Sequence, residues 1–71
     1  MFKEGDRVRV RHHTEYEKEN YEFRWTSSMD RLEGTICIIC EVRSCGYIVR
    51  DELGLQWAFT PQSLSIVYEQ F

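Results

Sequence analysis

The sequence predicts an all-β fold, a small five-stranded barrel with a long first loop and one-turn helices. Three observations support this prediction. Residues 34–59 contain three apolar runs of strand length separated by glycine-containing turns, a pattern typical of an antiparallel meander. Residues 7–11, RVRVR, alternate charged and apolar side chains with a period of two, as a half-buried strand does. A last apolar run at residues 65–68 can return to pair with that first strand.

The chain length predicts a single domain covering residues 1–71. A chain of this size buries only about 60% of the surface that its unfolded form exposes, so a large active-site cavity is not expected. Hydrophobic residues make up 42% of the sequence and aromatic residues 14%. This composition indicates a globular chain, because aromatic side chains bury enough area to offset chain entropy in a small core.

The formal net charge of −3 argues against a general nucleic-acid-binding protein, because nonspecific attraction to phosphates requires a positive field. No run approaches the roughly 18 apolar residues of a membrane-spanning helix, and the chain becomes charged at Lys3 instead of entering a signal-peptide run. The odd number of cysteines, at Cys37, Cys40 and Cys45, suits a reducing compartment. We therefore expect a soluble, cytoplasmic protein that does not contact membranes.

The first strand places its two valines toward the core and its arginines outward. One interpretation of Arg7, Arg9 and Arg11 is a solvated sheet face that also protects an edge of the sheet. The alternative is a ladder of three guanidinium groups spaced about 6.6 Å apart. Such a ladder can bind carboxylates or phosphates bidentately.

Residues 14–28 form a long segment without clear periodicity, in which glutamates alternate with aromatic residues. A loop of this length is uncommon in a compact domain and is usually functional. The alternative to a functional loop is a structural one, in which Phe23 and Trp25 fold over one end of the core and Tyr16 and Tyr21 cover its flank. The segment predicts a partner-binding surface made of Glu15, Tyr16, Glu17, Glu19, Tyr21, Phe23 and Trp25.

Residues 26–34 predict one helical turn that buries Met29 and Leu32 and ends at Gly34. The second strand follows. We expect its more continuous apolar face to point into the core, the face that carries Ile36, Ile38, Cys40 and Val42. Its other face carries Thr35, Cys37, Ile39 and Glu41.

The second half of the chain predicts a hairpin at residues 43–46, where Gly46 adopts a positive φ. In the fourth strand, Leu55, Trp57 and Phe59 share one side. The remaining elements in order are a third strand at residues 47–51, a turn at 52–54, a fourth strand at 55–60, a one-turn helix starting at Pro61 and the last strand at 65–68.

The residue types that carry chemistry are present without a convincing arrangement. Cys37 and Cys40 have C-x-x-C spacing, but residues three apart in a strand point to opposite faces, so no metal or redox site is predicted. His12 and His13 have no nearby nucleophile in the sequence. The four glycines form no phosphate-binding loop. We therefore predict neither an enzyme nor a cofactor.

Three blocks of sequence carry a resemblance that spans nearly the whole chain. They are FKEGDRVRV at residues 2–10, the W…MD…L…G pattern at residues 25–34, and GYIV with WAFTP…L at residues 46–64. In this order they resemble the small SH3-like barrel proteins of bacteriophages and prophages and, more distantly, the peptide-binding repeat of mind bomb ubiquitin ligases. The tyrosine motif and paired tryptophans of proline-binding SH3 domains are absent, so polyproline recognition is not expected.

The resemblance implies a non-catalytic protein-binding module of phage or mobile-element origin. Such a module occupies the surface of a host protein, including a defence nuclease in the manner of an anti-CRISPR inhibitor. In the predicted surface, aromatic side chains act as anchors and glutamates as a rim. One alternative is an oligomeric structural part, and the other is a nucleic-acid-binding barrel that uses Arg7, Arg9, Arg11 and His13.

Overall fold

The computed structural model describes residues 2–68 and contains one five-stranded antiparallel sheet. One α-helix and two 3₁₀ helices lie in its connections, and this architecture confirms the predicted all-β class. The strands are β1 (Arg7–Val10), β2 (Ile36–Arg43), β3 (Gly46–Arg50), β4 (Gln56–Phe59) and β5 (Leu64–Ile66). The helices are α1 (Glu15–Glu19), the first 3₁₀ helix (Ser27–Leu32) and the second 3₁₀ helix (Pro61–Ser63).

The strands lie in the order β4-β3-β2-β1-β5. β5 returns to pair with β1 as predicted, with Val8 opposite Ile66 and Val10 opposite Leu64. Among residues 2–68, β4 and β5 are the two edges of an open sheet, so the predicted closure into a barrel is not seen. The second 3₁₀ helix carries the chain from one edge to the other.

β1 shows the alternation that its sequence predicts. Val8 and Val10 are fully buried, while Arg7 and Arg9 are exposed. The interpretation that these arginines protect an edge is wrong, because β1 is an interior strand that pairs with β2 on one side and β5 on the other.

The predicted core face of β2 is also wrong. Cys37 and Ile39 are the buried residues of this strand, whereas Ile38 and Val42 keep 40% and 45% of their surface exposed. Cys37 lies opposite Val8 of β1, so the pairing with that buried valine turns this face inward. Because both faces of β2 are apolar, its own sequence contains no signal that selects between them. A register shift between residues 39 and 41 also interrupts the strict alternation along β2.

Gly46 is needed in the β2–β3 hairpin for a reason other than the predicted positive φ. Positive φ angles occur among the described glycines at positions 5, 34 and 54. At Gly46, a Cβ atom would lie 2.6 Å from the Phe59 carbonyl oxygen and 2.7 Å from the Phe23 ring. The glycine therefore allows the loop aromatic to pack against the hairpin.

β4 is shorter than the predicted strand, and Leu55 lies in the turn before it with half of its surface exposed. Trp57 and Phe59 share one face of β4, because both lie opposite residues of β3 at alternate positions. Phe59 is fully buried, while Trp57 is half-buried and donates a hydrogen bond from Nε1 to Asp51 Oδ2 at 2.8 Å.

The two predicted helical turns are confirmed as 3₁₀ helices, and the first buries Met29 and Leu32. Gly34 follows it with φ of +81°, in the region that favours glycine. The irregular segment predicted over residues 14–28 is partly wrong, because it contains α1. The core of the described chain comprises Val8, Val10, Met29, Leu32, Cys37, Ile39, Tyr47, Val49, Phe59 and Leu64.

Candidate functional site

The connection between β1 and β2 contains most of the predicted site residues, and α1 begins it with a capping box. The Glu17 backbone N donates to Thr14 Oγ1 at 3.2 Å, and the Thr14 backbone N donates to Glu17 Oε1 at 2.9 Å. This box satisfies backbone donors that the start of a helix leaves without partners. The T-x-x-E spacing at residues 14–17 is the local signal in the sequence for the start of this helix.

Glu17, one of the predicted partner-binding residues, is already paired within the chain. Arg11 Nη2 donates to Glu17 Oε2 at 2.8 Å, and the same guanidinium donates to the backbone carbonyls of His12 and Gln62. The hydrogen bond from Arg11 is the main reason that the pKa of Glu17 falls to about 2, with the Thr14 backbone N–H adding to it. The pair attaches α1 to the chain that directly follows β1.

Tyr16 is the most exposed of the predicted aromatic residues, with 75% of its surface accessible. Glu15 and Glu19 are exposed on the same helix. Residues three and four apart are neighbours on a helix surface, so Glu19 lies beside both Glu15 and Tyr16. We call this surface the α1 face, composed of Glu15, Tyr16 and Glu19.

A groove of about 300 Å³ lies beside the α1 face. Tyr16 and Asn20 line it on the helix side, and Thr60 and Gln62 line it on the side of the second 3₁₀ helix. The groove gives an incoming side chain a place next to the exposed tyrosine.

Tyr21 connects the loop to the β4–β5 connection through its hydroxyl group. Tyr21 Oη lies 2.5 Å from Ser63 Oγ and accepts a hydrogen bond from the Thr60 backbone N at 2.9 Å. The residue is half-buried and packs against the core. Its position therefore holds the loop in place.

Phe23 and Trp25 are half-buried as well. The Trp25 ring centroid lies 4.5 Å from that of His13, 5.2 Å from that of Tyr21 and 5.9 Å from that of Phe59. Tyr21 and Trp25 thus pack against the core and Phe23 lies against the β2–β3 hairpin, which matches the alternative arrangement for these three residues but not for the exposed Tyr16. Their participation in partner binding stays a prediction.

Lys18 joins α1 to the segment around the first 3₁₀ helix. Its Nζ lies 2.9 Å from Asp30 Oδ1, 3.6 Å from Glu33 Oε1 and 5.6 Å from the centroid of the Trp25 ring. The hydrogen bond to Asp30 raises the pKa of Lys18 and lowers that of Asp30, which also accepts from Trp25 Nε1 at 2.8 Å. With the Arg11–Glu17 pair, this contact attaches the helix to two other parts of the chain.

His13 lies in the interior, with 2% of its surface exposed. Its Nε2 is 2.9 Å from Ser63 Oγ, its backbone N donates to Glu33 Oε2 at 2.6 Å, and its Nδ1 is 3.7 Å from the same oxygen without a hydrogen-bond partner. No nucleophile lies near His13 in the sequence, but the fold brings Ser63, 50 positions away, within hydrogen-bond distance of its ring.

The contacts Ser63–His13–Glu33 follow the order of a Ser-His-acid triad, but the hydroxyl group is inaccessible. Ser63 has no exposed surface, and its Oγ also contacts Tyr21 Oη and Thr60 Oγ1. Burial is the main cause that lowers the pKa of His13, and the nearby Arg11 charge adds to it. The neutral imidazole thus serves in a hydrogen-bonded network that holds the loop on the core.

The residues predicted for nucleic-acid binding do not form one ladder. Arg7 and Arg9 are exposed on β1, and Arg9 Nη1 donates to the Gly34 carbonyl at 2.7 Å. Arg11 pairs with Glu17, and His13 is enclosed in the core. Only the first two arginines therefore remain on one exposed sheet face.

Within residues 2–68, no group of three or more His, Cys, Asp or Glu side chains is arranged to hold a metal ion. Cys37 is buried, which raises its thiol pKa, and Cys40 donates to the Ile48 carbonyl at 3.3 Å.

No helix in the described part of the chain is long and apolar enough to span a bilayer. Comparisons with protein-family models, curated proteins and solved structures found no match.

Proposed function

We propose that this protein is a non-catalytic protein-binding module that contacts its partner through the α1 face. The observation that carries the proposal is the exposed ring of Tyr16 on a helix that the ion pairs of Glu17 and Lys18 attach to the rest of the chain. A tyrosine on a preorganised element loses little conformational freedom on binding, and tyrosine is enriched among the residues that dominate interface energies. Glu15 and Glu19 surround this anchor with negative charge, so the complementary partner surface is basic.

The SH3-like architecture belongs to the same proposal. Its support is the element order: β1 between β2 and β5, a β2–β4 meander, and a one-turn helix before the last strand. The resemblance supplies the rest of the proposal: a phage or mobile-element origin, action in the bacterial cytoplasm and inhibition of a host protein by occupying its surface. A fold of this type hosts many activities, so the α1 face rather than the architecture identifies the function.

Binding of a host protein is tested with Tyr16→Ala. The wild-type chain is immobilised, its partner is captured from bacterial lysate and identified by mass spectrometry, and the dissociation constant is then measured with the purified partner. Loss of a hot-spot tyrosine costs at least about 2 kcal/mol, so we expect the affinity to fall about 30-fold. Glu15→Gln with Glu19→Gln should weaken binding less and reduce its dependence on salt.

Tyr68→Ala is the matched control, because Tyr68 is equally exposed, at 78%, and lies outside the loop. Its affinity should equal that of the wild type. If Tyr16→Ala binds the purified partner as tightly as the control does, the α1 face is not the binding site.

A further inference from the structure

The outer face of the sheet carries isoleucines that the core does not use. Ile38 keeps 40% of its surface exposed, while Ile36 and Ile48 are half-buried. A strand that is apolar on both faces is typical of sheets that are covered on both sides. In the described chain, β2 has the core on one side and exposed isoleucine on the other.

The register of the sheet places arginines around Ile38. Arg7 lies opposite Ile38 on one side, and Arg50 lies opposite it on the other. Arg9 lies opposite Ile36 in the neighbouring row. We call this surface the Arg-Ile face, composed of Arg7, Arg9, Ile36, Ile38 and Arg50.

Two of these arginines carry charge that no carboxylate in residues 2–68 neutralises. Arg9 donates to the Gly34 carbonyl, and Arg50 has no acidic side chain within ion-pair distance. The margins of the face carry both signs of charge, because Glu41 pairs with Arg43 at 2.7 Å, while Asp51 and Glu52 line a pocket together with Ile36. The part of the face around Ile38 therefore combines an apolar centre with cationic flanks, although the whole chain has a net charge of −3.

We propose that the Arg-Ile face binds an acidic segment of another protein, in which carboxylates flank an apolar side chain. The apolar side chain covers Ile38, and the carboxylates meet the guanidinium groups of Arg9 and Arg50, which are suited to bidentate hydrogen bonds. Arginine is enriched in the energetically important centres of interfaces for this reason. This surface is separate from the α1 face and adds a second contact to the proposed module.

Charge and residue type favour an acidic protein over the other possible occupants. A nucleic acid is a poorer match, because the face has no aromatic residue on which its bases could stack. Its phosphates would also place charged groups, and no apolar group, over Ile38. Two copies meeting face to face would bring their arginines together, which is repulsive.

The proposal is tested by fluorescence anisotropy with a short labelled peptide of alternating glutamate and leucine. We expect saturable binding that weakens as salt is added, and weaker binding of a polyglutamate peptide of equal charge. Arg50→Gln and, separately, Ile38→Thr should each reduce the peptide affinity about fivefold or more. Both side chains are on the solvent side, so thermal unfolding should confirm that these variants stay folded.

Arg24→Gln is the matched control, because Arg24 is an exposed arginine of the β1–β2 connection, outside the face and outside the ion pairs of residues 2–68; it should bind the peptide like the wild type. Tyr16→Ala should also retain peptide binding, which separates this proposal from that of the α1 face. The proposal is overturned if the peptide does not bind or if Arg50→Gln leaves peptide binding unchanged. It is also overturned if a DNA duplex binds more tightly than the peptide and Arg50→Gln weakens the binding of that duplex. Light scattering that shows self-association abolished by Arg50→Gln would instead assign the face to a second copy of the chain.

Discussion

His13 shows how a single buried residue couples the loop to pH. Its imidazole contacts Ser63 through Nε2, meets the Tyr21 ring edge-on and the Trp25 ring at a tilt, and has Glu33 at 3.7 Å from Nδ1. The charges of Arg11 and Glu17 also act on it. Burial is the largest cause that lowers its pKa below the ordinary value of 6.5. The folded state therefore favours the neutral ring, whereas the unfolded chain takes up a proton below about 6.5.

The free energy of unfolding should fall as the pH drops from 7.5 to 5.5. Since the unfolded state binds more protons in this window, stability is complete above the unfolded pKa and decreases by up to about 1.4 kcal/mol per pH unit below it. Urea denaturation followed by circular dichroism at the two pH values measures the difference. In His13→Gln this decrease should be smaller than in the wild type.

His12→Gln is the control for this titration, because His12 is the exposed neighbour. This variant should lose as much stability between pH 7.5 and 5.5 as the wild type does. An equal pH dependence in His13→Gln and the wild type would mean that His13 does not carry the effect.

Arg24 is the only non-glycine residue among residues 2–68 with a positive φ, at 70°. This left-handed conformation costs about 1–2 kcal/mol for a residue with a side chain. Both neighbours, Phe23 and Trp25, are half-buried. The strained residue thus lies between two aromatic residues of the loop, whose packing offsets its cost.

At the scale of the element, α1 depends on its contacts. A helix of five residues is far shorter than the roughly 12–15 that an isolated helix needs in water. The capping box, the Arg11–Glu17 pair and the Lys18–Asp30 pair supply that stability. Because the pKa of Glu17 is lowered to about 2, its contribution is complete above about pH 4.5 and is lost as the pH falls toward 2.

Thr14→Ala should loosen α1 without unfolding the sheet. The variant loses the N-cap acceptor for the Glu17 backbone N, a change that costs about 1 kcal/mol. Amide hydrogen exchange should become about fivefold faster in α1, while the amides of β1 and β2 keep their protection. Thr14→Ser retains the capping oxygen and should exchange like the wild type; equal rates in the alanine variant would show that the cap does not hold the helix.

At the scale of the whole molecule, loop and sheet share one core. Trp25 and Tyr21 of the loop contact the ring of Phe59 in β4, and Met29 and Leu32 of the first 3₁₀ helix belong to the core cluster. Removal of the loop would therefore expose apolar surface of the sheet. The two parts form one cooperative unit rather than a rigid sheet with a detachable loop.

Variants with a single tryptophan test this cooperativity. Trp57→Phe leaves Trp25 as the reporter of the loop, and Trp25→Phe leaves Trp57 as the reporter of β4. In each variant, the fluorescence transition in urea should coincide with the circular dichroism transition of the same protein. A loop reporter that changes at a lower urea concentration than the circular dichroism signal would contradict a shared core.

The sequence by itself determined the features that depend on neighbours in the chain. The alternation of Val8 and Val10 with arginines predicted β1, Gly34 marked the end of a helical turn, and Pro61 marked the start of another. The capping box that begins α1 is equally local, so its omission was an error of interpretation. Local patterns suffice because backbone conformation and side-chain alternation act over a few residues.

Only the tertiary structure decided which face of β2 enters the core and which residues surround His13. Both faces of β2 are apolar, so the choice depends on pairing with β1, which is distant in sequence. The same applies to Ser63, brought to His13 from the other end of the chain, and to Arg50, brought beside Ile38 by the hairpin. Contacts between distant residues follow from register and packing, which a one-dimensional pattern does not contain.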